Sequence, residues 1–319
     1  MGSLLRLGTR GSQLALAQAQ LVADALGGAE LVPIKTGADQ SRRSAGPPPA
    51  GGDKARFVRE IELALLAREV DLGVHSAKDL PSELPEELRL SGVPVREDPA
   101  DAYVGEASSL DEVPDGARIG TSSLRRRAQL LAARPDLEIE ELRGNVDTRL
   151  RRLADGDFDG IVLAAAGLRR LEREGEIAFR FGAELMTPAA GQGALALETR
   201  REDASAAAAA AGISDARALV EVTAERAAVG ELDATCRTPV GARAALLDGR
   251  LRADAFVGLP DGSEWVRDSL EGDPEDPVAL GRSLAERLVA AGAREVLERA
   301  GASDLGAEHR GRSPRLRGE

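Results

Sequence analysis

The chain is organised around residues 72 to 81, where the sequence is Leu72-Gly73-Val74-His75-Ser76-Ala77-Lys78-Asp79-Leu80-Pro81. Its apolar start is typical of a strand, and Pro81 ends any regular element because proline lacks an N–H and disfavours helix just before it. An acid, a cation and a hydroxyl therefore crowd together at a strand end, a common place for catalytic groups. Taken alone, the stretch is more simply explained as a strand end whose serine or aspartate caps the next turn.

Strands and helices alternate on both sides of this stretch. Hydrophobic periodicity predicts strands at residues 4–9, 29–34, 72–74, 117–120, 137–142 and 160–166. It predicts helices at residues 14–26, 57–68 and 124–133, and another after Asn145, a good helix cap. Residues 36–54 lack periodicity and are rich in proline and glycine at 46–52, which is typical of a lid or a disordered insertion. The alternation predicts mostly parallel sheets with helices on their faces.

Two segments, Arg96-Glu97-Asp98-Pro99 and residues 186–193, are predicted to cross between domains. Residues 194–198 predict a strand that returns to the first sheet. Farther on, the sequence predicts helices at 217–229, 280–290 and 294–300, with hairpins turning at Asp248-Gly249 and Asp261-Gly262. We therefore predict a first domain over residues 1–96 and 194–213, a second over 97–193 and a third over 214–319, with a loose polar tail from about residue 301.

Composition excludes several classes of function. The net charge of −12 argues against nucleic acid as a general partner. No apolar run approaches the roughly 20 residues of a membrane helix, so we expect no membrane partner. Residues 1–10 lack the pattern of a secretory signal, so we expect a cytoplasmic protein. Because Cys236 is the only cysteine and there are two histidines, an intramolecular disulfide is excluded and we predict no metal site.

Arginine recurs at the predicted strand ends. Arg125 and Arg126 lie in the first turn of a helix that starts at Thr121-Ser122-Ser123, and a helix start with guanidinium groups binds carboxylates or phosphates. Other strand ends carry Arg10 with Ser12, Arg143 with Arg149, and Arg170. Any one of these is more simply a solvated surface arginine, but as a set they predict an anion site. A phosphate-binding P-loop is absent, because nothing matches Gly-x-x-x-x-Gly-Lys-Ser/Thr.

Cys236 lies in a polar loop, Asp233-Ala234-Thr235-Cys236-Arg237-Thr238-Pro239. A lone cysteine is commonly an inert small apolar residue, but the neighbouring Arg237 would favour the thiolate. The loop by itself leaves a reactive and an inert thiol equally open.

Taken together, these motifs resemble those of the hydroxymethylbilane synthases, also called porphobilinogen deaminases. The matching segments occur in family order at residues 9–12, 74–81, 96–102, 120–126, 142–150, 166–171, 188–194 and 223–226. The resemblance implies an α/β fold with two lobes like those of periplasmic binding proteins, a hinged cleft between them, and a smaller α+β C-terminal domain that carries Cys236.

The resemblance also implies an activity. The family joins four porphobilinogen units head to tail, with release of ammonia, on a dipyrromethane cofactor, and then hydrolyses off the linear tetrapyrrole. Carried over to this chain, Cys236 holds the cofactor through a thioether and Asp79 is the catalytic residue. The partner is then the small molecule porphobilinogen, and a monomer is expected.

Further site residues follow from the matched motifs. Those implied to contact the cofactor are Lys54, Ser76, Lys78, Thr121, Ser123, Arg125, Arg126 and Arg149. Those implied to contact the substrate are Arg10, Ser12, Phe57, Arg143, Arg170 and Gln192. The physical reason is charge, because each pyrrole carries acetate and propionate arms, and a carboxylate such as Asp79 stabilises the cation formed as ammonia leaves.

The chain departs from the family at three places, and one of them is Gly52-Asp53-Lys54-Ala55-Arg56-Phe57, where the family has Gly-Gly-Lys-Gly-Leu-Phe. Thr235 stands before the cysteine where the family usually has glycine, and a second family lysine is missing near Ala50. A non-catalytic binding protein is the main alternative function, since its cleft would need the arginines but neither Asp79 nor a domain bearing a thiol. A nucleotide-using enzyme is a weaker alternative because the P-loop is missing.

Overall fold

The computed structural model describes residues 4–34, 52–234 and 238–310, and gives the backbone alone for 52–57 and 302–310. The predicted site residues Lys54, Phe57 and Cys236 therefore lie outside the described side chains, and most of the predicted lid lies outside the described ranges. No helix of the described ranges is both long and apolar enough to cross a membrane.

The described elements alternate as the sequence predicts. In chain order the strands are β1 Arg6–Arg10, β2 Glu30–Ile34, β3 Leu72–Ser76, β4 Leu88–Gly92, β5 Asp101–Gly105, β6 Arg118–Gly120, β7 Glu138–Glu140, β8 Gly160–Ala164, β9 Phe179–Arg180, β10 Leu195–Arg200, β11 Val240–Leu247, β12 Arg250–Gly258 and β13 Trp265–Gly272. The α-helices are α1 Gln13–Ala25, α2 Gly52–Leu66, α3 Leu124–Ala133, α4 Val146–Ala154, α5 Ala165–Arg170, α6 Ala204–Gly212, α7 Ala216–Glu231, α8 Pro277–Ala290 and α9 Ala293–Arg310.

The first lobe is built on a five-stranded sheet in the order β2-β1-β3-β10-β4. Strand β1 runs parallel to β2 and β3, whereas β10 runs antiparallel to both β3 and β4. Leu7, Leu72 and Leu197 are fully buried in this lobe's core. Each contributes about 2 kcal/mol to folding by burial.

The second lobe repeats this topology with the order β7-β6-β8-β5-β9. Here β5 is the antiparallel strand, between β8 and β9. In each lobe the antiparallel strand directly follows one of the two predicted crossings, so both crossings enter a sheet at its fourth position. The prediction of mostly parallel sheets is therefore confirmed, with one antiparallel insertion in each lobe.

The C-terminal domain is a three-stranded antiparallel sheet, β11-β12-β13, covered by α7, α8 and α9. Its core is built from alanine and leucine, for example Ala224, Leu251 and Leu284. Gly281 allows α8 to approach α7 closely, because a Cβ at that position would overlap the carbonyl of Ala224. The sequence predicts this construction, since the chain has few aromatic residues.

The predicted fold class, two α/β lobes and a smaller α+β domain, is confirmed. The return strand β10, the two hairpins and the caps at Ser123 and Asn145 are confirmed as well. The predictions omitted strands β4, β5 and β9, and they ended the last helix at residue 300, whereas α9 continues to Arg310. The predicted domain boundaries fall between the three sheets and stay a prediction.

Candidate active site

Residues 72–81 form the whole of β3 and the turn after it. A 3-10 turn over Ala77–Asp79 follows the strand, and Leu80 returns to extended backbone. The amide of Ala77 donates to the carbonyl of Ala194 at 3.0 Å, which ties the turn to the start of β10. Ser76 occupies the cap position but makes no capping hydrogen bond through its side chain, so the simple capping explanation of this serine is wrong.

A cavity lies beside this turn, at the carboxyl ends of β1 and β3. Its polar lining includes Arg10, Ser12, Ser76, Lys78 and Asp79. Ser12 also caps α1, since its hydroxyl accepts from the amide of Ala15 at 3.3 Å. The structure therefore brings together two cations, two hydroxyl groups and one carboxylate, all of them predicted from the sequence as site residues.

A buried hydrogen-bonded pair of side chains adjoins the cavity. His75, which also lines the cavity, hydrogen-bonds Glu198 of β10 at 2.9 Å between Nε2 and Oε2. Glu62 on α2 lies nearby, and burial, followed by the charge of Glu198, raises the pKa of its carboxyl group. His75, Glu198 and Glu62 are not among the site residues predicted from the sequence.

Gln192 connects the two lobes. Its Oε1 accepts from the Nζ of Lys78 at 3.2 Å, and its Nε2 donates to the Asp101 carboxylate at 3.0 Å. Its Nε2 also donates to the carbonyl of Pro99 at 2.7 Å. This fully buried amide joins the Asp79 turn of the first lobe to the start of β5 in the second.

Asp101 is the centre of a buried charge cluster. Its carboxylate accepts from Arg125 at 2.7 Å and from the Nε of Arg126 at 2.8 Å. Burial alone would raise the pKa of the Asp101 carboxyl group, but the charges of Arg125 and Arg126 outweigh it and hold that pKa well below its usual range. Both guanidinium groups also donate to backbone carbonyls, those of Thr187 and Val162.

The cluster gives Arg125 and Arg126 a structural role that the predicted anion site did not include. Arg125 and Arg126 are about 5% exposed and have internal partners, so their hydrogen bonds stabilise the second lobe. Two guanidinium groups against one carboxylate still leave one net positive charge. Sequence reasoning missed Asp101, although an acid directly before the apolar run Ala102-Tyr103-Val104 is a signal for a buried carboxylate that needs cations.

Arg149 lies on α4, and Arg170 is the last residue of α5, a short helix that the sequence did not predict. The Nε of Arg149 donates to the carbonyl of Gly144 at 2.9 Å, and Arg170 donates to the carbonyl of Gly193 at 2.6 Å. Burial lowers the pKa of each guanidinium to about 10, so both remain charged at neutral pH.

The remaining predicted residues of the second lobe surround the start of α3 and the turn before α4. The Thr121 hydroxyl accepts from the amide of Ser123 at 3.2 Å, and the Ser123 hydroxyl accepts from the amide of Arg126 at 3.4 Å. Arg143 is exposed and pairs with the exposed Glu141 at 2.7 Å. These contacts leave Arg143 as the predicted arginine most accessible to a molecule arriving from solvent.

The C-terminal domain holds both crossings through Glu225 of α7. Its carboxylate binds the Arg96 guanidinium at 2.7 and 3.0 Å, and it accepts from the amides of Gly191 and Ala244. Burial acts to lower the pKa of Arg96, but Glu225 and then Glu221 outweigh it and raise that pKa. Arg96 also donates to the carbonyl of Gln192 at 3.0 Å, which links this network to Lys78.

No group of histidine, cysteine and carboxylate residues within residues 4–34, 52–234 and 238–310 is arranged to hold a metal ion. The positions of Lys54, Phe57 and Cys236 in the site stay predictions.

Two family models match the chain. Residues 5–208 match the porphobilinogen deaminase "dipyromethane cofactor binding domain", and residues 219–290 match the porphobilinogen deaminase C-terminal domain. The chain belongs to the porphobilinogen deaminase family. As a porphobilinogen deaminase it is a transferase of tetrapyrrole biosynthesis that makes hydroxymethylbilane from porphobilinogen with a dipyrromethane cofactor, and the predicted activity and cofactor are confirmed.

Solved structures that resemble this porphobilinogen deaminase include periplasmic binding domains. The VFT2 domain of BvgS from Bordetella pertussis matches with 16% identity and a TM-score of 0.37, covering 66% of this chain and 85% of that one. An arginine-specific periplasmic binding protein from Salmonella typhimurium matches with 9% identity and a TM-score of 0.36, covering 66% and 92%. A TRAP solute-binding protein from Desulfovibrio salexigens matches with 9% identity and a TM-score of 0.38, covering 66% and 72%.

Proposed function

We propose that Asp79 is the catalytic carboxylate of this porphobilinogen deaminase and that Cys236 carries the dipyrromethane cofactor through a thioether. The observation that supports Asp79 is the cavity in which it lies beside Lys78, Arg10, Ser12 and Ser76. The support for Cys236 is that the chain has one cysteine.

The polar residues fit a ligand built from pyrroles with acetate and propionate arms. Such a ligand brings several carboxylates, and the cavity offers the cations Arg10 and Lys78 with the hydroxyls of Ser12 and Ser76. We propose that Arg149, Arg170 and Lys54 hold further carboxylates. The net positive charge of the Asp101 cluster attracts the same anions, with Arg125 and Arg126 acting through their field.

Asp79 is proposed to act by stabilising the positive charge that develops on the substrate during the reaction. When bound, the cofactor supplies the nucleophilic pyrrole carbon. The protonated amine of the substrate's aminomethyl group leaves as ammonia and takes the electron pair of the C–N bond. Positive charge then develops on the pyrrole ring and on the methylene carbon that stays attached to it. The Asp79 carboxylate stabilises that charge at the pyrrole N–H, and it accepts the ring proton that is released once the new carbon–carbon bond has formed.

The other predicted residues position the substrate. We propose that exposed Arg143 receives incoming porphobilinogen and that Phe57 stacks on a pyrrole ring. Thr121 and Ser123 shape the start of α3, and Gln192 aligns Lys78 with the second lobe. We also propose a cytoplasmic monomer with domains at residues 1–96 with 194–213, 97–193 and 214–319.

The test is the intact mass of the purified protein, with the modified residue mapped by digestion. We expect added mass equal to two linked pyrroles on the peptide that contains Cys236, and none in a Cys236→Ala variant. If the wild-type chain is unmodified, porphobilinogen is added and the mass is measured again. Failure of Cys236 to load at that stage would contradict the proposal and favour a cysteine-independent binding function.

A further inference from the structure

Arg226 of α7 reaches from the C-terminal domain to the loop that directly follows Asp79. Its guanidinium donates to the carbonyl of Leu80 at 3.3 Å, to that of Pro81 at 2.7 Å and to that of Ser82 at 2.9 Å. One side chain therefore supplies donors to three successive carbonyls. It belongs to the motif Thr223-Ala224-Glu225-Arg226, none of whose residues is among the predicted site residues.

The loop needs such a partner because its own sequence gives it little internal structure. Pro81 has no N–H to donate, and the extended backbone at Leu80 ends the 3-10 turn. The guanidinium is planar and carries five N–H donors, so it can bind carbonyls that point in different directions, which an ammonium group does less well. Burial lowers the pKa of Arg226, and the negative charge of Glu198 offsets this lowering only in part.

The Asp79 turn is then held from both sides. Before Asp79, the amide of Ala77 is bound to the carbonyl of Ala194, and after it Arg226 holds residues 80–82. The backbone of α7 also lies close to this loop, since a Cβ at Gly230 would be 3.5 Å from the Cβ of Ser82. The aspartate is thus fixed between a strand of its own lobe and a helix of another domain.

We propose that Arg226 is a positioning residue for Asp79, which it keeps in a productive position by anchoring residues 80–82 to the C-terminal domain. This inference rests on the proposed catalytic role of Asp79. Arg226 itself touches no reacting atom. Loss of the anchor lets the turn move, and a displacement of about 1 Å in a catalytic group costs on the order of 100-fold in rate.

The test compares three variants of the cofactor-loaded enzyme: Arg226→Met, Arg226→Lys and the control Arg217→Met. Arg217 lies on the same helix, and its guanidinium donates to Glu221 rather than to the loop at residues 80–82. For Arg226→Met we expect kcat to fall roughly 30- to 100-fold with KM within about twofold, because positioning affects the transition state more than binding. Arg226→Lys should recover part of kcat, and the control should match the wild type.

Amide hydrogen exchange supplies a readout that does not depend on turnover. In Arg226→Met, exchange should rise at residues 80–84 while the rest of α7 and the melting temperature stay as in the wild type. The inference is overturned if kcat is unchanged while the loop exchanges faster. It is also overturned if kcat falls only together with general loss of protection across the C-terminal domain.

The same series separates this inference from the proposed function. Asp79→Ala is measured alongside. If Asp79→Ala keeps full activity, the proposed role of Asp79 fails, and with it the role of Arg226. If Asp79→Ala is inactive while Arg226→Met has wild-type kcat, only the positioning role fails.

Discussion

Asp79 ends the turn after β3 and Asp101 is the first residue of β5. Each lies near arginine, yet their surroundings differ. Asp101 is fully buried and is bound by Arg125, Arg126 and Gln192. Asp79 is half-buried in a turn and lines a cavity with Arg10 and Lys78. The buried carboxylate stabilises the fold of a lobe, whereas the cavity carboxylate is placed to meet a ligand.

The difference teaches that arginine at a helix start does not by itself identify a binding site. The start of α3 has the local features of an anion site, and its two arginine side chains are paired with the internal carboxylate of Asp101. Gln192 links Asp101 to Lys78, the residue directly before Asp79, so the structural cluster and the proposed catalytic turn share one hydrogen-bond chain. The predictions below separate the two aspartates by stability and by turnover.

The largest effect is expected from Asp79→Ala. Loss of the carboxylate that stabilises the developing cation should lower kcat by about 10³-fold, while the free energy of unfolding changes by less than about 1 kcal/mol. Steady-state kinetics and urea unfolding measure both quantities, and the mass of the Cys236 peptide reports cofactor attachment, which should survive. Wild-type turnover in this variant would remove Asp79 from the mechanism.

Asp101→Ala should show the reverse pattern. It leaves two buried guanidinium groups without their carboxylate, which should lower the free energy of unfolding by about 3–5 kcal/mol. Urea unfolding measures the effect, and Asp115→Ala is a matched control because its carboxylate is exposed, although it also pairs with an arginine. If Asp101→Ala were as stable as the control, the cluster would have no structural role.

A smaller effect is expected from Arg143→Leu. Removal of an exposed charge that receives substrate should lower kcat/KM by roughly tenfold, with no change in stability, because the pair with Glu141 is solvated. Glu141→Gln removes the same ion pair and should leave the kinetics unchanged. Unchanged kinetics in Arg143→Leu itself would exclude this residue from the site.

The smallest effect is a pH dependence. The pKa of Asp101 is lower in the folded state than in the unfolded chain, so its contribution to stability is present above the unfolded pKa of about 3.9 and is lost as the pH falls toward the folded value. Between pH 6 and pH 3 this group should account for about 1 kcal/mol of lost stability. The measurement compares urea unfolding of the wild type and Asp101→Asn at both pH values, and the variant should lose less.

The sequence predicted the parts that depend on local patterns. Apolar runs predicted the parallel strands, Asn145 and Ser123 predicted helix starts, and the motif at 74–81 predicted a polar strand end. The resemblance to a family supplied the activity, which the residues alone left open between an enzyme and a binding protein.

The parts that were missed depend on contacts between distant residues. Strand β5 is short and directly follows the crossing at residues 96–99, so it was not predicted, and the role of its Asp101 was missed with it. The partners of Arg125, Arg126 and Arg226 are backbone carbonyls and carboxylates far along the chain. No local spacing encodes such contacts, because they arise only once the sheets pack.

The position of β10 has a consequence for how the protein is made. Strand β4 pairs only with β10 in the sheet of the described residues, so the first lobe stays incomplete until residue 200 has left the ribosome. All five strands of the second lobe lie between residues 101 and 180 and emerge before then. We therefore expect the second lobe to fold first during synthesis, against the usual N-to-C order, and the lobe that carries Asp79 to close after it.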